Sequence, residues 1–188
     1  METRDFVQLA LLANDGEIKG KTALQKKVYF LGLLTDCADK LGYRPHLYGP
    51  YSSEVADAIT YLKAIDVLEE QVEPCGIVDE SGFEVKRHAF RLNDAGRKLA
   101  KRRANDDPEL WEKVQGAAKT LREAGDLNYV LLSIAAKTYC MLGEKKGHAT
   151  AGELADLAPR FGWNVAPRQI DEAAKYLRNI GLVEFSGT

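Results

Sequence analysis

The sequence is poor in residues that bind metals or form disulfides, with three cysteines and three histidines among 188 residues. The cysteines are odd in number, widely spaced and form no CxxC pair, so they predict neither a disulfide framework nor a zinc site. The histidines have no partner at metal-ligand spacing, which argues against a metal centre or a nucleophile site. We therefore expect no catalytic residues, no metal and no cofactor. The six residues are Cys37, Cys75, Cys140, His46, His88 and His148.

Long apolar runs and an excess of one charge are also missing. No apolar run approaches the roughly 20 residues of a membrane span, and the N-terminus has no signal-peptide layout. These absences predict a cytoplasmic protein without a membrane contact. The first 105 residues carry 16 basic and 16 acidic residues, and the remainder carries 10 and 12. A sequence-independent nucleic-acid binder is usually clearly basic, so any DNA contact would use local patches.

Apolar periodicity and capping residues predict a mainly helical first half. Leu24, Val28 and Leu31 form one apolar stripe, which we expect to face Val55, Ile59 and Leu62 of the third helix. Thr22 and Gln25 fit a capping box at the start of the second helix. The predicted elements are helices over 5–14, 22–41, 53–66 and 94–103, a short strand over 67–69, and a hairpin over 76–92 with its turn at 79–82.

This order is typical of a winged helix-turn-helix with the hairpin as its wing, and residues 104–108 are the best linker. The expected fold class is mainly α with small β-hairpins, in tandem winged helix-turn-helix-like units at 1–105 and 106–188. In the second unit we expect helices over 109–123 and 127–142, helices opened by Thr150 and by Pro167, and a closing strand over 182–185. No wing hairpin follows that strand, so either the wing is missing or the chain is cut short.

An internal repeat supports two units. Residues 61–69 (YLKAIDVLE) and 176–184 (YLRNIGLVE) share four identities at a helix end that is expected to pass into a strand. This interpretation requires Leu62 and Leu177, and likewise Ile65 and Ile180, to be buried.

Gly20, Lys21 and Thr22 are similar to the end of a P-loop. Only three residues separate Gly16 from Gly20, where a P-loop needs four, and a helix rather than a buried strand is predicted before it. We therefore interpret this segment as a helix N-terminus and expect no nucleotide site.

Two motifs resemble those of a known family. Residues 21–31 (KTALQKKVYFL) and 47–55 (LYGPYSSEV) resemble the K-T-x-L-Q-K helix and the Y-G-P-[YF]-S loop of the SocA-like antitoxin (Panacea) group and of its YwgA-like relatives. The resemblance covers residues 5–105 well and 132–141 more loosely. It implies a winged-helix-like protein that acts as an antitoxin or a proteolytic adaptor, and it brings no catalytic residues.

The predicted function is that of a DNA-binding regulator of transcription, with a protein-interaction module of the antitoxin or proteolytic-adaptor type as the alternative; a homo-oligomer is compatible with both. Basic residues in the wing favour DNA, whereas Glu54 and Asp57 at the start of the third helix repel phosphate and favour a protein. The candidate residues for contact with DNA or a protein partner are Lys19, Lys21, Tyr48, Tyr51, Ser52, Ser53, Lys86, Arg87, His88, Arg168, Gln169 and Lys175.

Overall fold

A computed structural model describes residues 1–78, 84–125 and 128–184. The described residues form eight α-helices and a three-stranded antiparallel sheet, which confirms the prediction of a mainly helical chain with little β-structure. The elements are α1 (Thr3–Ala13), β1 (Glu17–Lys19), α2 (Lys21–Leu34), α3 (Ser53–Ala64), β2 (Leu68–Val78), β3 (Glu84–Leu92), α4 (Asp94–Asp106), α5 (Pro108–Glu123), α6 (Tyr129–Glu144), α7 (Ala151–Leu157) and α8 (Pro167–Asn179), with 3-10 helices at Ala38–Leu41 and Ala158–Phe161.

Three helices begin at the predicted capping residues. The Ser52 hydroxyl accepts the backbone N–H of Val55 at 2.9 Å, and Asn93 caps α4 in the same way. Thr150 and Glu153 form a reciprocal capping box at α7. Each cap satisfies N–H groups that the first helical turn leaves without an intrahelical acceptor.

The second helix differs from the prediction at both ends. It begins at Lys21 after Gly20, whose φ of 93° favours glycine, and Thr22 and Gln25 form no capping box. The Gln25 side chain instead bonds the backbone of Ser52. The helix ends at Leu34 rather than at residue 41, because Asp36 adopts a left-handed conformation and turns the chain.

The sheet has the order β1-β3-β2. Strand β3 is central and pairs with β1 through Glu17 and Arg91 and with β2 through Leu68 and Leu92. The sequence pattern did not predict β1, and the predicted strand at 67–69 is the start of the longer β2. The predicted turn at 79–82 lies outside the described residues.

Two predictions in the second half are wrong. Residues 104–108 are not a linker, since α4 continues to Asp106 and α5 begins at Pro108, with only Asp107 between them. Residues 182–184 form no strand, and Phe185 lies outside the described residues.

The internal repeat does not meet the requirement of four buried positions. Leu62 and Leu177 are both buried, and Val67 and Leu182 each donate a backbone hydrogen bond to the residue five positions earlier. Ile180 is 3% exposed, whereas Ile65 is 43% exposed. Ile65 directly follows the last turn of α3, on the side away from the core. Because Ile65 is exposed, the first corner does not match the second. Because residues 182–184 form no strand, the expected second helix-to-strand corner is wrong.

One hydrophobic core runs through the described residues of both halves. Helix α2 packs against α5 and α6, and α1 packs against α3, α4 and α5. The division near residue 105 stays a prediction, but the packing joins the two parts. Within the described ranges, no helix is long and apolar enough to cross a membrane.

Candidate functional site

The two sequence motifs meet at one cavity of about 340 Å³. Helix α2, the loop before α3, helix α3 and the sheet each contribute a wall. The lining residues are Lys21, Thr22, Gln25, Lys26, His46, Tyr48, Gly49, Tyr51, Ala56, Ile59, Thr60, Lys63, Glu70 and Phe90. A volume at the lower end of the range for ligand pockets suits one or two side chains of a partner.

The loop over 44–51 has a fixed backbone. Arg44 and Tyr51 exchange two backbone hydrogen bonds of 2.9 Å, and Gly49 donates to the His46 carbonyl between them. The φ of Gly49 is 91°, and a Cβ there would lie 3.1 Å from Lys137 Cγ and 3.3 Å from the Ser133 carbonyl oxygen. Glycine is therefore required at position 49 both by backbone conformation and by the close approach of α6.

Side chains from both halves of the chain hold this loop. The Gln25 amide donates to the Ser52 carbonyl at 3.0 Å and accepts the Ser52 N–H at 3.1 Å. The Trp163 indole N–H donates to the His46 carbonyl at 2.7 Å. The loop is consequently anchored at its start by the C-terminal half and at its end by α2.

Lys26 is the most unusual residue of the cavity, because it is only 2% exposed. Its ammonium group donates to the Pro50 carbonyl at 2.5 Å. Among the described residues, no carboxylate forms an ion pair with it. Burial, and secondarily the ammonium group of Lys137, lower the pKa of Lys26 to about 8.

Glu70, in β2, connects its strand to three other elements at the cavity. Its carboxylate lies 3.6 Å from Lys21 Nζ and 2.8 Å from His88 Nδ1, and it also bonds Lys63. The hydrogen bond from Lys63 is the main cause of the lowered pKa of Glu70. The cluster fixes β2 and β3 against the start of α2 and against the last turn of α3.

The rim of the cavity is aromatic and exposed, with Tyr48 at 69% exposure and Leu47 and Tyr51 beside it. Ser53 is also exposed. Ser52, in contrast, is fully buried, and its hydroxyl donates to the Leu41 carbonyl while capping α3. The cap and the core therefore occupy the Ser52 side chain, and its contact with a partner stays a prediction.

A second groove, of about 750 Å³, adjoins the cavity through Lys21 and Thr22. It contains five of the predicted contact residues, namely Lys19, Lys21, Lys86, Arg87 and His88. Lys86 and Arg87 are exposed, whereas His88 is half-buried against Glu70. Glu17 and Glu73 also line the groove, and Glu17 pairs with Arg91 at 2.8 Å.

The three predicted contact residues on α8 line neither cavity. Arg168 is exposed and lies 3.4 Å from Glu172, and Lys175 is exposed on the same helix. The Gln169 side chain accepts the backbone N–H of Ala166 at 3.0 Å and so belongs to the helix start.

Sequence reasoning missed four residues that shape the site, Gln25, Lys26, Glu70 and Trp163. Gln25 and Lys26 stand inside the K-T-x-L-Q-K motif, and that position in a motif was the available signal. Lys26 counted as one of several basic residues on a helix, because periodicity alone does not show that a lysine is buried. Glu70 and Trp163 carry no local signal.

No protein-family model matches the chain, and no curated protein gives a significant match. Within the described ranges, no group of three or more histidine, cysteine or acidic side chains is arranged to hold a metal ion. The features of the described residues that bear on function are the cavity, its aromatic rim and the adjoining groove.

Proposed function

We propose that the chain is a non-enzymatic protein-interaction module of the antitoxin or proteolytic-adaptor type, which binds its partner at the cavity between α2 and α3. The observation that carries this proposal is the exposed aromatic rim on a loop with a fixed backbone. Tyr48 and Tyr51 stand beside a concave site instead of packing into the core. Tyrosines of this kind supply much of the binding energy of protein interfaces.

The fixed loop supports this function energetically. Gln25, Lys26 and Trp163 hold its backbone in the unbound protein. Ordering a loop on binding costs free energy, so a loop that is already ordered leaves more of the contact energy for affinity.

The charges on α3 favour a protein partner over DNA. Its exposed first turns carry Glu54 and Asp57. Hydrogen bonds from its own backbone N–H and from the Ser53 hydroxyl lower the pKa of Glu54, which keeps its carboxylate ionised. A recognition helix places this end against bases and phosphates, where two carboxylates would be repelled.

The family resemblance is a second support. Residues of both motifs, among them Gln25, Lys26, Gly49 and Tyr51, line or anchor the cavity. The element order α1-β1-α2-α3-β2-β3 is that of a winged helix with β2 and β3 as its wing, and we propose this assignment for the first half.

The test is direct binding to a partner isolated from the native cell in the presence of nuclease. We expect Tyr48→Ala and Tyr51→Ala each to abolish complex formation in calorimetry. Tyr61→Ala is the matched control, because Tyr61 is an exposed tyrosine that lies outside the cavity lining. Unchanged affinity of both rim variants would contradict the proposal.

A second candidate, a DNA-binding regulatory protein, is favoured by the groove. Lys19, Lys21, Lys86 and Arg87 line it together. At the start of α2 no side chain caps the helix, whose backbone N–H groups suit a phosphate.

A salt-titrated anisotropy assay separates the two candidates. If the groove binds DNA, Lys86→Ala/Arg87→Ala should flatten the slope of log K against log salt by about two units. The double variant Lys98→Ala/Lys101→Ala, on the exposed face of α4, is the control. Nanomolar, sequence-selective binding at physiological salt would replace the first proposal, and its absence on a genomic-fragment library would remove the second.

A further inference from the structure

The charges in the cavity are not balanced. In the part of the chain that the structure describes, Lys21, Lys26 and Lys63 line it together with one carboxylate, Glu70. Glu70 lies against Lys21 and Lys63, so those lysines already share its charge. Lys26 is left without a counter-ion among the described residues.

An unpaired ammonium group is costly at this degree of burial. Removing such a group from water costs several kcal/mol unless an opposite charge accompanies it. The ammonium group has three donors, and the Pro50 carbonyl is its one acceptor in the described part of the chain. A neutral donor would also bond that carbonyl, more weakly but without the cost of burying a charge. The loop alone therefore does not account for a lysine. Buried and unbalanced charges of this kind are typical of binding sites.

We propose that the cavity binds an acidic side chain of the partner protein, whose carboxylate pairs with the Lys26 ammonium group while its neighbouring residues contact the tyrosine rim. This inference rests on the proposed function, since it names the chemistry that the interaction module recognises. The bound carboxylate supplies the negative charge that the cavity lacks. It also accepts hydrogen bonds from the ammonium N–H groups of Lys26 that do not bond the Pro50 carbonyl.

The composition of the walls favours a carboxylate over a phosphate. Among the described residues no arginine lines the cavity, and Ala56, Ile59 and Phe90 give it apolar walls. Phosphate recognition usually depends on clusters of arginines, whose paired donors match a dianionic group. A single buried lysine between apolar walls matches the methylene groups and the single charge of glutamate or aspartate.

The experiment uses the full chain and a display library of random peptides. Selected sequences should share one acidic position. Synthetic peptides are then compared with matched peptides that carry glutamine in place of the glutamate at this position. We expect the exchange to weaken binding to the wild-type protein at least about tenfold, as for loss of a buried charged pair.

Lys26→Met should bind the glutamate and glutamine peptides equally. Lys98→Met is the control, because that lysine is exposed on α4 outside the cavity lining and should leave the preference for glutamate in place. Should Lys26→Met fail to fold, NMR of the wild-type protein decides. The Lys26 side-chain resonances should then shift with the glutamate peptide and stay in place with the glutamine peptide.

The outcomes separate this inference from the proposed function. Selected peptides without an acidic preference, a Lys26→Met variant that keeps the full preference, or unmoved Lys26 resonances would overturn the inference and leave peptide binding standing. If the library yields no binding peptide at all, the interaction-module proposal falls and the inference falls with it.

Discussion

Two opposing effects act on Lys26 at the scale of single residues. The hydrogen bond to the Pro50 carbonyl fixes the loop, while burial without a counter-ion disfavours the charge that makes this bond strong. Helix α6 adds to the second effect, because the ammonium group of Lys137 also lowers the pKa of Lys26. The stability of the protein should therefore depend on pH between about 8 and 10.5, through the titration of Lys26.

The sign of this dependence follows from the lowered pKa. Below pH 8 Lys26 is protonated in both the folded and the unfolded state, and the cost of burying its charge is fully present. Between its folded pKa of about 8 and its ordinary value of 10.5, the unfolded chain keeps a proton that the folded protein loses. The free energy of unfolding should then rise with pH, by at most about 3 kcal/mol. Urea denaturation of wild type and Lys26→Met from pH 7 to 11 measures it, as a gap between the two curves that changes in this window.

Lys40→Met provides the control for this measurement. Lys40 is exposed, so its removal should leave the pH dependence parallel to that of the wild type. Parallel curves for Lys26→Met as well would show that the folded protein accommodates the charge at no cost, which would also remove the premise of an unbalanced cavity.

Predictability from sequence differs among residues for a physical reason. Ser52, Asn93 and Thr150 were found as caps, because a cap bonds a backbone group two or three positions away. Gln25 and Lys26 act on residues 27 and 24 positions away. Their roles depend on where the loop folds back, and local patterns contain no information about that distance.

At the scale of elements, two apolar residues of helix α3 have different roles. Leu62 is fully buried beneath the helix, whereas Ile59 is half-buried and lines the cavity. The predicted stripe placed both in the core. The periodicity was correct, but it does not show that a cavity opens beside one turn of the helix.

Alanine substitution should separate these two positions. Leu62→Ala should lower the free energy of unfolding by about 2–5 kcal/mol, the range for a buried aliphatic side chain that leaves a cavity. Ile59→Ala should cost clearly less, because solvent already reaches that side chain. Denaturant melts of both variants test this, and equal losses would place Ile59 in the core as the stripe first predicted.

The sheet was harder to predict than the helices. Strand β1 has three residues, two of which are Glu17 and Lys19, so neither its length nor its composition favours a strand. Its pairing with β3 depends on residues at least 70 positions away, as for Glu17 and Arg91. Helices with several turns and a local cap carry their own signal, and short edge strands depend on their partner.

The two halves share contacts at the scale of the whole molecule. The ring of Phe30 in α2 lies 5.9 Å from that of Tyr176 in α8. Arg122 donates to the Ala13 carbonyl at 2.8 Å, and Trp163 bonds the His46 carbonyl at the rim of the cavity. The proposed interaction site thus draws on residues from both predicted domains, although the tyrosines themselves belong to the first.

We expect the chain to unfold in one cooperative transition, in spite of the predicted boundary near residue 105. Both tryptophans lie after that boundary, so their fluorescence reports on the second half, whereas far-UV circular dichroism reports on all helices.

Phe30→Ala removes a fully buried ring from the first half and should lower the free energy of unfolding by about 3–5 kcal/mol. If the core is shared, this change should move the tryptophan transition and the dichroism transition to the same lower midpoint. Val72→Ala, at an exposed position of β2, should leave both in place. If the tryptophan midpoint does not shift in Phe30→Ala, the chain has two independent domains. The packing of α2 on α6 and α8 would then stabilise only the first domain.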